Sequence, residues 1–175
     1  ARIQLTNLNY PTPDSPNPLT MLFRKHLDGG YIKAVKQIEL DRICHIIFGS
    51  YNEFGDYVEY NCYIEIMGKH SNIILCNHEN KIIDCLKRIT PNINSERFIQ
   101  PGAIYRLPPM NGNKVNPFTS DFIENNNLTK VYQGMSPILS KEIIYRHDNG
   151  DDFKNIMQEL NSSETIYISK VDDRE

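Results

Sequence analysis

Two adjacent residues of opposite charge, Asp41 and Arg42 in ELDRI, carry the most specific chemistry in this sequence. An arginine presents a planar fork of donors that can stack on a nucleobase or grip a phosphate. A carboxylate beside it can orient that fork or accept a hydrogen bond from a base edge. The plainer reading is an exposed turn with a local ion pair, and the dipeptide alone does not choose between the two. Three other places offer positive charge as candidate phosphate contacts. Arg24, Lys25 and His26 close a basic helix end in LFRKHLDGG. Lys69 and His70 stand at the tip of GKHSN, either a phosphate contact or a simple hairpin loop in which Gly68 takes a positive φ. Arg97 is the lone cation of TPNINSERFIQPGAIY, where Asn92, Asn94 and Ser95 add hydrogen-bonding capacity to what is otherwise a solvated loop.

Other chemistries are missing from the pattern. No nucleophile stands with a base, and no paired catalytic carboxylates, P-loop or GxGxxG are found, so an enzyme is not expected. Cys44, Cys62, Cys76 and Cys85 lie far apart, with no CxxC spacing and no histidine at ligand spacing. They read as reduced core thiols of a cytosolic protein, with no metal and no cofactor. The net charge of -3 argues against a nucleic-acid footprint over the whole chain. The charge is uneven, however. Residues 1–109 carry 12 Lys and Arg against 11 Asp and Glu, whereas residues 110–175 carry 7 against 11. Between Gly68 and Arg106 there are six basic residues and three acidic ones, which permits a local basic face. No apolar run approaches the ~20 residues that cross a bilayer, and ARIQLTNLNY does not read as a signal peptide. The opening lacks an initiator Met, so the sequence is expected to be the interior of a longer protein.

The elements that must position these residues follow from periodicity. Alternation over residues 1–9 predicts a strand. After a proline-rich loop, Asn17 caps a helix with Pro18 at its first position, running to about Leu27 and stopped by Gly29-Gly30. Strands are then expected over 31–40, 43–50, 57–67, 71–76 and 81–89, with a last short one over 104–107. Polar turns between them suggest an antiparallel meander or sandwich. Beyond residue 112 the period lengthens. Helices are expected over 120–125, 128–135, 136–146 and 152–160, and a strand returns over 165–171. Within this part, QGMSPILSKEII has the shape of a helix-hairpin-helix, a turn whose second helix offers free N–H groups to phosphate. Ser136 stands where a second glycine is usual, and the acidic surroundings favour plain helix packing.

Read in order, MLFRKHLDGG, ELDRI, EIMGKHSNIIL, IIDCLKRITPNIN and QPGAIYRLPP resemble the second half of the NFACT N-terminal domain. That family also carries the name fibronectin-binding protein A, and includes the bacterial ribosome-quality-control factor and its eukaryotic counterparts. The resemblance is dense over residues 1–109. Beyond them it rests on QGMSPILSKEII, which is similar to the start of the family's helix-hairpin-helix middle domain. It implies an α+β fold: a mostly antiparallel β-sandwich over 1–112, similar to the N-terminal domain of formamidopyrimidine-DNA glycosylases but without their chemistry. A helical segment over 113–165 would follow, and residues 166–175 would begin a truncated strand region. It also implies partners: the large ribosomal subunit obstructed by a peptidyl-tRNA, and a tRNA, alanyl in bacteria, recruited to add a tail without mRNA. The family's Asp-Arg pair, which contacts the anticodon region, falls on Asp41 and Arg42. Lys69 stands where arginine is common in relatives. Fibronectin is the further partner that the family's second name implies, and the cytoplasm is the expected location.

Overall fold

The computed structural model describes residues 2–11, 14–94, 96–109 and 112–162. These fall into two compact units, Ala1–Met110 and Asn111–Glu175.

In the first unit, α1 spans Pro18–Leu27. It begins as its sequence dictates: the Asn17 side chain accepts from the Thr20 amide at 2.9 Å, and Pro18 occupies a position whose N–H would have no helical partner. The helix ends through a tight turn. Asp28 is extended, Gly29 has φ 74, and the Gly30 amide donates to the Leu27 carbonyl at 3.0 Å. This is the type II pattern, and its third residue needs the positive φ that glycine adopts without strain.

Five strands follow: β1 (Tyr31–Gln37), β2 (Ile43–Tyr51), β3 (Tyr57–Glu65), β4 (Asn72–Asn77) and β5 (Ile82–Cys85). They form one antiparallel meander in the order β1-β2-β3-β4-β5. The fold is α+β, and among the described residues no second sheet faces this one. The register places Ile43, Glu65 and Asn72 in one row and His45, Tyr63, Ile74 and Cys85 in another. Directly paired residues share a face, so these rows define one side of the sheet. On it Ile43, Tyr63, Ile74, Cys76, Ile82 and Cys85 form a core closed by Ile99 and Tyr105 from the long segment after β5. Each fully buried isoleucine or leucine here contributes roughly 1.5–3 kcal/mol. The other face buries Cys62 and Leu75 and receives α1, which packs against β2 and β5. All four cysteines are free thiols, three of them buried. Burial raises the Cys62 and Cys76 thiols to about 12 and that of Cys85 to about 11.

Two strand expectations in this unit need correction. Residues 2–9 alternate in sequence but pair with no strand, and Ile3, Leu5 and Leu8 are exposed. Alternation makes a face that can be buried; it does not supply the neighbouring edge. Residues 104–107 make only an isolated bridge, Ile104 to Lys81.

The second unit packs Leu128, Tyr132, Ile143, Phe153, Ile156 and Met157 together. Its helices are α2 (Pro137–Asp148), capped by the Ser136 hydroxyl on the Leu139 amide at 3.1 Å, and α3 (Phe153–Ser162). Residues 120–125 are not helical. The buried Tyr132 hydroxyl donates to the Asp121 carbonyl at 2.9 Å and accepts from the Ile123 amide at 2.7 Å, which holds that backbone away from helical pairing. Residues 128–135 make a single 3₁₀ turn, Leu128–Lys130, and the chain then turns at Gly134 with φ 67. The strand expected over 165–171 lies outside the described residues.

Candidate nucleic-acid interface

Asp41 and Arg42 close the turn between β1 and β2. The turn is tightly bonded. Ile38 donates its amide to the Ile43 carbonyl at 3.0 Å, Asp41 donates its amide to the Ile38 carbonyl at 3.0 Å, and Glu39 has φ 46. The Gln37 side-chain amide adds a bond to the Asp41 carbonyl at 3.0 Å. Asp41 does not grip its neighbour's guanidinium. Its Oδ1 accepts from the Arg42 backbone amide at 2.7 Å, and the Arg42 carbonyl accepts from the Ile66 amide at 2.8 Å. The backbone of the pair is thus pinned to the end of β3, while the exposed Arg42 side chain has no acidic partner and no hydrogen bond among the described residues. Both residues line a groove of about 340 Å³ with Ile3, Val35, Cys44 and Ile66. A free planar cation at the rim of an apolar groove can stack on or hydrogen-bond a base whose face the groove accepts.

Lys69 and His70 lie at the same end of the sheet. They follow Gly68, with φ 58, in the 3₁₀ turn Gly68–His70 between β3 and β4, and both are exposed. The Ser71 hydroxyl stiffens this turn by donating to the Gly68 carbonyl at 2.8 Å and accepting from the Met67 amide at 3.0 Å. One cation that the sequence pattern did not single out joins them: the Lys87 ammonium donates to the Lys69 carbonyl at 2.9 Å. Its sequence signal was faint, a polar Asn72 at the head of the apolar run NIILC.

The other candidates are placed differently. Arg24, Lys25 and His26 are close to Asp41 in sequence but lie toward the opposite end of β1. That strand starts beside Gly49 at Tyr31 and ends beside Cys44 at Gln37, about 20 Å away. Arg24 and Lys25 are exposed. His26 is half-buried, with Nδ1 3.1 Å from the Tyr60 hydroxyl, and burial together with the Lys25 charge lowers its pKa. Neutral at physiological pH, it is a poor phosphate ligand. Arg97 commits its fork internally. It pairs with Glu65, its Nε donates to the Arg106 carbonyl at 2.8 Å, and its guanidinium lies 5.5 Å from the Tyr105 ring centroid. The Tyr105 hydroxyl also donates to Glu65 Oε1 at 2.9 Å. With side-chain exposures of 11% and 2%, Arg97 and Glu65 form a buried ion pair, and this guanidinium is not offered to a phosphate. Among the described residues no three His, Cys, Asp or Glu side chains converge as a metal site.

Comparisons with known proteins place the chain in a family. The family model described as NFACT N-terminal and middle domains matches residues 1–170. The "Rqc2 homolog RqcH" of Bacillus subtilis is 38% identical over 159 residues, which cover 83% of this chain and 28% of the relative. The human "Ribosome quality control complex subunit NEMF" is 31% identical over 97 residues, covering 55% of this chain and 8% of that protein. The chain therefore spans under a third of the length of the curated relatives it matches. Among solved structures, the N-terminal part of the fibronectin/fibrinogen-binding protein from Streptococcus suis superposes with a TM-score of 0.82 at 34% identity. That match covers 93% of this chain and 64% of the solved one.

Proposed function

We propose that this chain, which belongs to the NFACT family, is the tRNA-reading part of a ribosome-quality-control factor. In this reading the intact protein binds a large ribosomal subunit obstructed by a peptidyl-tRNA. There it recruits a tRNA, alanyl in bacterial relatives, for mRNA-independent C-terminal tailing of the stalled chain. Arg42 contacts exposed anticodon bases, Asp41 fixes the turn that presents it, and Lys69 and His70 hold the RNA backbone. Residues 1–112 act as the second half of the family's N-terminal domain, and residues 113–165 as its helix-hairpin-helix-like middle segment. The protein works in the cytoplasm; none of its described helices is long and apolar enough to cross a membrane. The observation that carries the reading is the Arg42 fork, without a protein partner among the described residues, at the rim of the apolar groove.

The test is tRNA binding by the intact protein carrying Asp41→Ala and Arg42→Ala. Losing a good base contact costs roughly 1–3 kcal/mol. Wild-type affinity in the double variant would refute the role given to the pair. A second reading, fibronectin binding, comes from the name of the Streptococcus suis relative. Cell fractionation separates the two, because adhesion requires a surface pool.

A further inference from the structure

We propose that Lys87 joins Arg42 and Lys69 in a phosphate-tracking edge along one end of the sheet, and that buried Asn72 is the residue that positions it. The inference rests on the RNA-binding reading and names the part of the surface that holds the RNA backbone. Arg42 immediately precedes Ile43, and Ile43, Glu65 and Asn72 lie in one register row. The row continues to Lys87 through Asn72. This side chain, 3% exposed, donates to the Lys87 carbonyl at 2.8 Å and accepts from the Lys87 amide at 2.9 Å. The Lys87 ammonium then reaches back to the Lys69 carbonyl at 2.9 Å. Four strands lie across this edge, so it runs about 14 Å at the ~4.8 Å spacing of neighbouring strands.

The charge balance of the edge favours a polyanion. Two of the cations nearby are already neutralised: Arg88 pairs with Asp84 at 3.3 Å, and Arg97 with buried Glu65. Arg42, Lys69, Lys87 and the exposed Arg106 have no acidic partner among the described residues. The acids on the adjoining turn are Glu39 and Asp41, the second already bonded to a backbone amide. Among the described residues no acid pairs with the Lys87 ammonium, which rests on the Lys69 carbonyl, or with the exposed Lys69 side chain, whereas successive phosphates would. A partner that reads bases at Arg42 lays its backbone along this edge.

The experiment is the salt dependence of tRNA binding by the intact protein, comparing wild type, Lys69→Gln with Lys87→Gln, and Arg24→Gln with Lys25→Gln. Removing one phosphate contact lowers the slope of log K against log salt by about 0.7–1. The first pair should therefore lower it by about 1.5, with melting temperature unchanged. The second pair removes equal charge from the opposite end and should leave the slope near wild type. Equal reductions from both pairs, or none from the first, would overturn the edge while leaving the Arg42 reading intact. If wild-type protein binds no tRNA, both fail together. Binding to phosphatidylserine vesicles serves as the other arm. A reduction confined to vesicles would assign the edge to a lipid surface and overturn the inference.

Discussion

The turn between β1 and β2 and the loop after β5 each bring an arginine to the same end of the sheet, and the two guanidiniums have opposite fates. Arg97 finds Glu65 buried beneath it, with Tyr105 and the Arg106 carbonyl taking up the remaining geometry. Arg42 finds no acid among the described residues, because the neighbouring Asp41 is turned onto a backbone amide. What separates a structural arginine from an available one is thus the partner that the fold supplies. Burying Glu65 costs solvation that only a paired cation offsets, so Arg97 is held by the core. Arg42 is held only through its backbone, and its side chain remains open to an external partner.

The largest expected effect tests the structural half of that contrast. Arg97→Ala strands the buried Glu65 carboxylate and should lower stability by about 3–5 kcal/mol, read by chemical denaturation. Replacing both partners, Glu65→Leu with Arg97→Met, removes the stranded charge and should return much of that stability, leaving the Tyr105 hydroxyl short of an acceptor. A mild effect in the single variant would mean that this pair is as dispensable as a surface one. The smallest effect concerns His26. Its pKa is lowered by burial and then by the Lys25 charge, so the folded chain binds fewer protons there than the unfolded one. Stability is unaffected well above the unfolded value near 6.5 and is lost as pH falls below it. His26→Phe should flatten the acid side of a plot of melting temperature against pH. An unchanged profile would mean that His26 remains solvated.

Much of the sheet was legible in the sequence because strand periodicity is a local property. Asn17-Pro18 likewise marked the start of α1 within a residue. The misreadings share a different cause, a partner far along the chain. Residues 2–9 alternate without an edge to join, and residues 120–125 are kept from helical pairing by the Tyr132 hydroxyl. Arg97 looked free because Glu65 lies 32 residues away, and Lys87 looked ordinary because its anchor, Asn72, is 15 residues away. The proximity of Arg24 and Lys25 to Asp41 dissolved once β1 ran between them.

The most direct test keeps the charge at position 42 and removes the fork. Arg42→Lys in the intact protein should bind tRNA about tenfold more weakly, toward the lower end of the roughly 1–3 kcal/mol range for the removal of one base-specific bond pair. Its melting temperature and salt slope should stay at wild-type values, since an ammonium still attracts phosphate but lacks the planar pair of donors. Wild-type affinity in that variant would contradict the account, because it would show that any cation at this turn suffices.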